Sequence, residues 1–351
     1  GPFCMSDLVV DNKMVWTKNA EYWDADNVYL DTINWYIVAQ ESTAATMFEN
    51  GELDQYQPTG DYAIKFAKEA EEGKYQYMVT DYPGTTGLRF NFINGGTSGL
   101  MSNVKIRKAI SYSIDREEMI DAVYGRYNPA YSYVAPAITF NGSSYRSQVG
   151  EIIEDEYNEY VGDPDKIVAL FQEGLDELGV ETPIEDITLT YLTSGSTTEG
   201  QAEREYIQQS LEETLGLTVE LSVAGDTSLF IADRNEGNYD FFLGGWYSDY
   251  NDPLDFLYTN YTDAYGMSFG GYSNPDYDAL ADQLVGETDM DKRLDIYKQM
   301  EQVLLLDDCA FAPIYYATKQ VLLQNWVKDY RTSSFGASAE FIWTYIDGKN
   351  Q

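Results

Sequence analysis

An apolar run followed by aromatic and acidic residues, at 241–253 (FFLGGWYSDYNDP), holds the side chains best suited to contact a ligand. The run is typical of a strand in an open α/β sheet, where ligands bind beyond the carboxyl ends of the strands. Trp246 and Tyr247 offer apolar ring faces, and the carboxylate of Asp249 can pair with an amine. The glycine pair before them would allow close approach to the backbone. The segment therefore predicts a ligand-contacting surface.

The same residues also have a purely structural interpretation. Trp246 could belong to the hydrophobic core, and residues 249–253 could form an Asx-type turn that begins a helix at Leu254. The residue types alone do not decide between the two interpretations.

Arg234 is a second candidate, because it lies at the end of the helix predicted before this strand. It could hold a ligand carboxylate. A cation at a helix C-terminus also stabilises the helix dipole, and this structural account is equally good.

Several other chemistries are excluded or weak. The chain has no histidine, which removes Ser-His-Asp and Cys-His nucleophile systems and histidine-ligated zinc. Asp249, Asp252 and Asp255 lack the alternate spacing, central glycine and closing glutamate of a calcium loop. The segment NGGT at 94–97 lacks the spacing and the lysine of a phosphate-binding loop. We therefore expect no catalytic residue, no metal and no cofactor.

Length and charge narrow the class of protein. The 351 residues suggest two domains, and 22 Lys and Arg against 59 Asp and Glu give a net charge of −37. A nucleic-acid partner is unexpected, because phosphates need clustered cations. Hydrophobic residues make up 44% of the chain, which is enough for a packed core. The spacing of Cys4 and Cys309 leaves two buried thiols or one bridge equally open.

Helices and strands alternate in the second half of the chain, which is the pattern of an open α/β sheet. The predicted elements are a helix over 164–179, a strand over 187–192, a helix over 199–215, a strand over 217–223, a helix over 227–235 and a strand over 239–245. Near the amino end, 9–16 and 28–38 are predicted to be strands, and 128–163 is predicted to be a long surface excursion.

Six stretches together give the chain a family resemblance. They are KNAEYW (18–23), FENGELD (48–54), FN (90–91) with NVKIRKAISYSIDR (103–116), GWYSDYNDPLDF (245–256), PDYDAL (275–280) and APIYY (312–316). In this order they resemble the extracellular solute-binding proteins of the oligopeptide and dipeptide ABC importer group, family 5.

The resemblance implies an α/β fold of the periplasmic-binding-protein-like (Venus-flytrap) type II architecture. It assigns 1–38 to part of the N-terminal lobe, 39–318 to the C-terminal α/β lobe and 319–351 to a return to the N-terminal lobe. It also implies that the chain is a C-terminal fragment, because family members begin with a long region that has no counterpart here.

The family's binding residues can be carried over by position. Asp249 matches the carboxylate that pairs with the free amine of a peptide, and Trp246 and Tyr247 match adjacent cleft residues. Arg234 matches an arginine that faces a peptide carboxylate, and Trp35 matches an aromatic cleft position. Leu243 departs from relatives that have a second arginine there, so recognition of one fixed peptide length is not implied.

The function implied by the resemblance is binding rather than catalysis. The protein would be the substrate-binding component of an ABC importer that captures oligopeptides by hinge closure and delivers them to the permease subunits. It would be a monomer, extracellular or periplasmic, with a cell-surface lipoprotein as one form. The same fold binding an oligosaccharide or another small solute is an alternative, and a carboxylate-dependent hydrolase is a second.

Overall fold

The computed structural model describes residues 1–195, 197–262, 264, 270–335 and 339–349. The chain forms two compact units, which are Gly1–Asp81 with Thr318–Gln351 (unit 1) and Tyr82–Ala317 (unit 2). Among the described residues, no helix combines the length and the apolar character needed to cross a membrane.

Strands and helices occur throughout both units. The strands are β1 (Phe3–Val9), β2 (Lys13–Lys18), β3 (Thr32–Tyr36), β4 (Gln55–Tyr56), β5 (Gln76–Phe90), β6 (Asn128–Pro129), β7 (Thr139–Phe140), β8 (Ser143–Ser144), β9 (Thr188–Ser194), β10 (Thr218–Ala224), β11 (Phe241–Tyr247), β12 (Phe311–Leu323), β13 (Val327–Lys328) and β14 (Tyr345–Ile346). The α-helices are α1 (Glu41–Glu49), α2 (Gly60–Glu71), α3 (Val104–Tyr112), α4 (Arg116–Met119), α5 (Tyr145–Val149), α6 (Glu154–Tyr160), α7 (Pro164–Leu178), α8 (Thr198–Leu215), α9 (Thr227–Glu236), α10 (Pro253–Leu257), α11 (Pro275–Gln283) and α12 (Met290–Gln302).

Unit 1 begins with an antiparallel sheet in the order β1-β2-β3. The single strand predicted over 9–16 is wrong, because the chain reverses direction within it. The amide of Asn12 donates to the carbonyl of Val9 at 3.1 Å, and Asp11 has a φ of 56°. Aspartate and asparagine tolerate such turn conformations, and the apolar residues on both sides concealed this turn.

The core of unit 1 is an aromatic cluster around Phe48. The Phe48 ring is fully buried and lies 5.7 Å from Phe66 and 4.8 Å from Tyr75, centroid to centroid. Leu322 packs into the same cluster. Helices α1 and α2 and strand β4 belong to unit 1, where they supply residues of this cluster. The sequence-based division into lobes at residues 38 and 318 stays a prediction.

Unit 2 is built on a mixed sheet with the strand order β10-β9-β11-β5-β12, and β6 pairs with β12. Strands β10, β9 and β11 are parallel, and β11 pairs antiparallel with β5. The alternation of helices and strands predicted from 164 onward is confirmed. In particular, α9 leads into β11, the strand that precedes the candidate ligand-contacting residues.

The predicted surface excursion over 128–163 is wrong. Ala130, Tyr133 and Tyr145 are fully buried in this segment. Arg146 forms a buried ion pair with Glu301, and Glu301 also accepts hydrogen bonds from the backbone amides of residues 133 and 134 at 3.0 and 2.9 Å. The segment lacks a regular period because tertiary contacts rather than long helices or strands hold it in the core.

Candidate ligand-binding site

The candidate site in unit 2 lies at the carboxyl end of β11. Trp246 is half-buried near the end of the strand, and Asp249 lies exposed just beyond it. Tyr247 is the last strand residue and is 46% exposed. The structure therefore has the predicted order of a strand, two aromatic residues and a carboxylate. The side chains of Trp246, Tyr247 and Asp249 are all at least partly accessible to solvent.

A fourth residue, Asp255, connects two of these groups. Its Oδ2 atom accepts a hydrogen bond from the indole Nε1–H of Trp246 at 2.9 Å and another from the main-chain N–H of Asp249 at 2.8 Å. Asp255 is 7% exposed and belongs to α10. In the sequence Asp255 stands out only as a member of an acidic group that does not fit a calcium loop, and nothing in the residue pattern points to these two contacts.

Helix α10 is itself fixed at its beginning. Asp252 is the N-cap, and its Oδ1 accepts from the amide of Leu254 at 2.8 Å. The same oxygen accepts from the hydroxyl of Tyr297 at 2.9 Å. Tyr297 is fully buried in α12. The Asx-type interpretation of this segment was therefore right for Asp252, while Asp249 is exposed.

Tyr247 lies against the neighbouring strand. It pairs with Gly84 of β5, and its ring centroid is 5.7 Å from that of Tyr82. A Cβ atom at position 84 would lie 2.4 Å from Cδ1 of Tyr247. Since successive residues of a strand point to opposite faces, Tyr247 and Trp246 serve opposite faces of the sheet.

A charged cluster on α8 lies on the Tyr247 side. Burial raises the pKa of Glu203 to about 7, against an opposing hydrogen bond from the hydroxyl of Tyr124. Arg126 forms a bidentate pair with Glu199, with N–O distances of 2.5 and 2.6 Å. The Glu203 carboxylate also contributes to raising the pKa of Tyr247, after burial and Tyr82. No pattern in the sequence predicted this cluster, because its members are far apart along the chain.

Arg234 lies at the other end of β11. It is in the last turn of α9, close to Tyr239, which precedes the strand. Burial raises the pKa of Tyr239 to about 12, and the guanidinium of Arg234 opposes the rise. The seven residues of β11 rise about 20 Å. The structure therefore does not place Arg234 beside Asp249.

Trp35 lies in unit 1, on β3, where it pairs with Met14 and is 37% exposed. It lines a cavity of about 490 Å³. Two carboxylates in the lining are already held. Glu41 accepts from the amide of Thr59 at 2.9 Å, and Asp54 accepts from the ammonium of Lys349 at 2.6 Å.

The described residues contain neither a cluster that could bind a metal ion nor a disulfide bond. Within those ranges, no three His, Cys, Asp or Glu side chains are grouped so that they could hold a metal ion. Cys4 is an exposed free thiol and Cys309 is a buried one, so the two are not bridged, and the expectation of two buried thiols is wrong for Cys4.

Comparison with known families gives a match over most of the chain. The model described as "Bacterial extracellular solute-binding proteins, family 5 Middle" matches residues 1–268.

Curated relatives include two binding proteins of Bacillus subtilis. The dipeptide-binding protein DppE is 30% identical over 327 residues, which are 93% of this chain and 56% of the relative. The oligopeptide-binding protein OppA is 29% identical over 94% of this chain and 56% of the relative. The chain thus spans little more than half the length of these relatives.

Solved structures with the same fold include two from other bacteria. The substrate-binding domain of an oligopeptide ABC transporter from Bacillus anthracis has a TM-score of 0.78 at 25% identity and covers 99% of this chain and 64% of its own. Listeria monocytogenes OppA bound to peptide has a TM-score of 0.75 at 29% identity, with the same coverage. The predicted periplasmic-binding-protein-like α/β fold is confirmed.

Proposed function

The chain belongs to the bacterial extracellular solute-binding proteins, family 5, and from this membership we propose that it binds peptides as the substrate-binding component of an ABC importer. Relatives of this family that bind dipeptides and oligopeptides match more than nine-tenths of the chain, which supports a peptide as the solute. The family is one of binding proteins, and the proposed role requires no catalytic step.

The observation that carries the proposal is that Asp249 and Trp246, at the end of β11, both donate hydrogen bonds to the carboxylate of Asp255. The main chain of Asp249 is held by Asp255 at 2.8 Å, while its own carboxylate stays exposed. An exposed carboxylate whose main chain is held in place suits the free amino terminus of a peptide, because the ammonium gains a charged partner. An uncharged sugar has no cation to offer this carboxylate.

The other predicted contacts stay proposals with different support. Tyr247 is exposed, but it lies on the sheet face opposite Trp246, so its contact with the peptide is a proposal that rests on the resemblance. Arg234 is at the opposite end of β11, so a peptide that used both charged ends would need about six extended residues, at roughly 3.3 Å each. Trp35 lines the cavity of unit 1. Its assignment rests on the resemblance.

The cellular setting is proposed from the family. We place the protein outside the cytoplasmic membrane, extracellular or periplasmic, where it would deliver its peptide to the permease subunits. Hinge closure, a lipid anchor and a monomeric state stay predictions that follow from the resemblance.

The test is a double-mutant cycle measured by calorimetry with the purified protein. Peptides of two to eight residues are titrated with a free and with an acetylated amino terminus, against the wild type and Asp249→Asn. Because Asp249 is exposed, we expect a coupling of about 1 kcal/mol, or about fivefold in affinity. The matched control is Asp186→Asn, which neutralises an exposed carboxylate of the 3₁₀ turn before β9.

Two results would contradict the proposal. Equal loss of affinity on acetylation in the wild type and in Asp249→Asn would remove Asp249 from amine recognition. Co-purification of hexose-spaced ligand masses, with no peptide, in native mass spectrometry would replace the peptide by an oligosaccharide.

A further inference from the structure

We propose that Asp255 is a positioning residue, whose single carboxylate oxygen Oδ2 holds the indole of Trp246 and the main chain of Asp249 in the arrangement that receives the peptide amine. The inference rests on the proposed function for its binding readout. In this proposal the arrangement of Trp246 and Asp249 depends on Asp255, a residue that itself does not have to contact the ligand.

The first support is that Asp255 does not serve its own helix. With Asp252 as the N-cap and Pro253 at the first helical position, Asp255 is the third helical residue, where a carboxylate ordinarily returns to the N-cap amide. Here the amide of Asp252 donates instead to the carbonyl of Tyr250 at 3.0 Å. The Asp255 carboxylate reaches back to Asp249 and Trp246.

The second support is the burial of the carboxylate. Asp255 is 7% exposed, and none of the ion pairs in the described part of the chain includes it. A buried carboxylate without a cation depends on its hydrogen-bond donors. Rotating Trp246 or moving the backbone at Asp249 would leave the charge short of a donor, so both groups are held in place.

The third support is that the helix carrying Asp255 is anchored from elsewhere. Asp252 binds the hydroxyl of the fully buried Tyr297 at 2.9 Å, and Arg293 donates to that same hydroxyl. Pro253 and Phe256 of α10 are buried as well. The helix therefore provides a fixed support, and the exposed groups at the end of β11 are aligned to it.

The test separates the two hydrogen bonds from the charge. Both bonds end on one oxygen, so Asp255→Asn can keep both with its amide oxygen while it removes the charge. Asp255→Ala removes both bonds. The positioning readout is the indole ¹⁵N–¹H resonance of Trp246 without ligand, assigned with Trp246→Phe. The binding readout is the affinity for a peptide with a free amino terminus.

We expect Asp255→Ala to move the Trp246 resonance upfield and to weaken peptide binding about tenfold or more, whereas Asp255→Asn stays within about threefold of the wild type. Should Asp255→Ala fail to fold, Asp255→Glu takes its place, because it keeps the charge and displaces the oxygen by one methylene.

Three outcomes decide the matter. An unchanged Trp246 resonance in Asp255→Ala overturns the positioning. A shifted resonance with unchanged peptide affinity overturns its role in binding. If the wild type binds no peptide, the proposed function fails, and the resonance measurement without ligand still supports or overturns the positioning.

Discussion

The half-buried carboxylate of Glu203 makes the stability of this protein depend on pH in a defined direction. Burial raises the pKa of this group from an ordinary value of 4.5 to about 7. Between these values the folded chain keeps a proton that the unfolded chain has released, so stability falls as pH rises. The contribution of this proton to the free energy of unfolding is complete below pH 4.5, and it is lost as the pH rises through about 7.

The size of the effect follows from the shift. The two pKa values differ by about 2.5, and a pKa difference of one corresponds to about 1.36 kcal/mol. The shift is therefore worth about 3.4 kcal/mol in the free energy of unfolding. Because the residue is partly accessible to solvent, we expect about 2 to 3 kcal/mol. The perturbation that removes the titration is Glu203→Gln, which still offers an oxygen to the hydroxyl of Tyr124.

The assay is urea unfolding of the wild type and of Glu203→Gln at several pH values from 4.5 to 8. Between pH 4.5 and pH 8, the free energy of unfolding of the wild type should fall by about 2 to 3 kcal/mol relative to that of Glu203→Gln. The control is Glu205→Gln, an exposed residue of the same helix, which should keep the pH slope of the wild type. If Glu203→Gln also kept that slope, the raised pKa and the burial that causes it would be refuted.

Two further substitutions test local packing, one within unit 2 and one within unit 1. Gly84→Ala would place a Cβ atom 2.4 Å from Cδ1 of Tyr247, so we expect the ring to move away and peptide affinity to fall by about threefold to tenfold, with little loss of stability, as measured by calorimetry and thermal unfolding. Unchanged affinity would remove Tyr247 from the site. Phe48→Ala empties the centre of the aromatic cluster of unit 1 and should cost about 3 to 5 kcal/mol in urea unfolding, whereas a cost below about 1 kcal/mol would mean that the cluster is not a packed core.

The sequence predicted the parts of the fold that repeat locally. The helices and strands after residue 164 have clear periods and caps, such as Asp163 before Pro164, and the structure has them. The proximity of Trp246 and Asp249 follows from the end of one strand, so it could be inferred as well.

What the sequence did not predict depends on contacts between distant residues. The buried pair of Arg146 and Glu301 joins residues 155 positions apart, and no local pattern marks either one. The same holds for Glu203, whose hydrogen-bond partner Tyr124 is 79 positions away. Asp255 lies only six positions from Asp249, but its contact depends on how the chain turns between the strand and the helix.

The way unit 1 is closed has a consequence for the order in which the protein folds. The side-chain amide of Gln324 donates to the carbonyl of Phe48 at 2.6 Å, and the backbone amide of Gln324 donates to Asp54 at 3.0 Å. Leu322 fills the cluster around Phe48. These partners are synthesised more than 260 residues apart, so the aromatic cluster stays incomplete until the segment that carries Leu322 and Gln324 has been made. Contacts of such long range form slowly, because the loop-closure entropy is lost before they are gained. Completion of unit 1 is therefore expected to be a late step in folding. Until the segment with Leu322 and Gln324 has been synthesised, the aromatic residues around Phe48 are an exposed apolar surface to which a chaperone could bind.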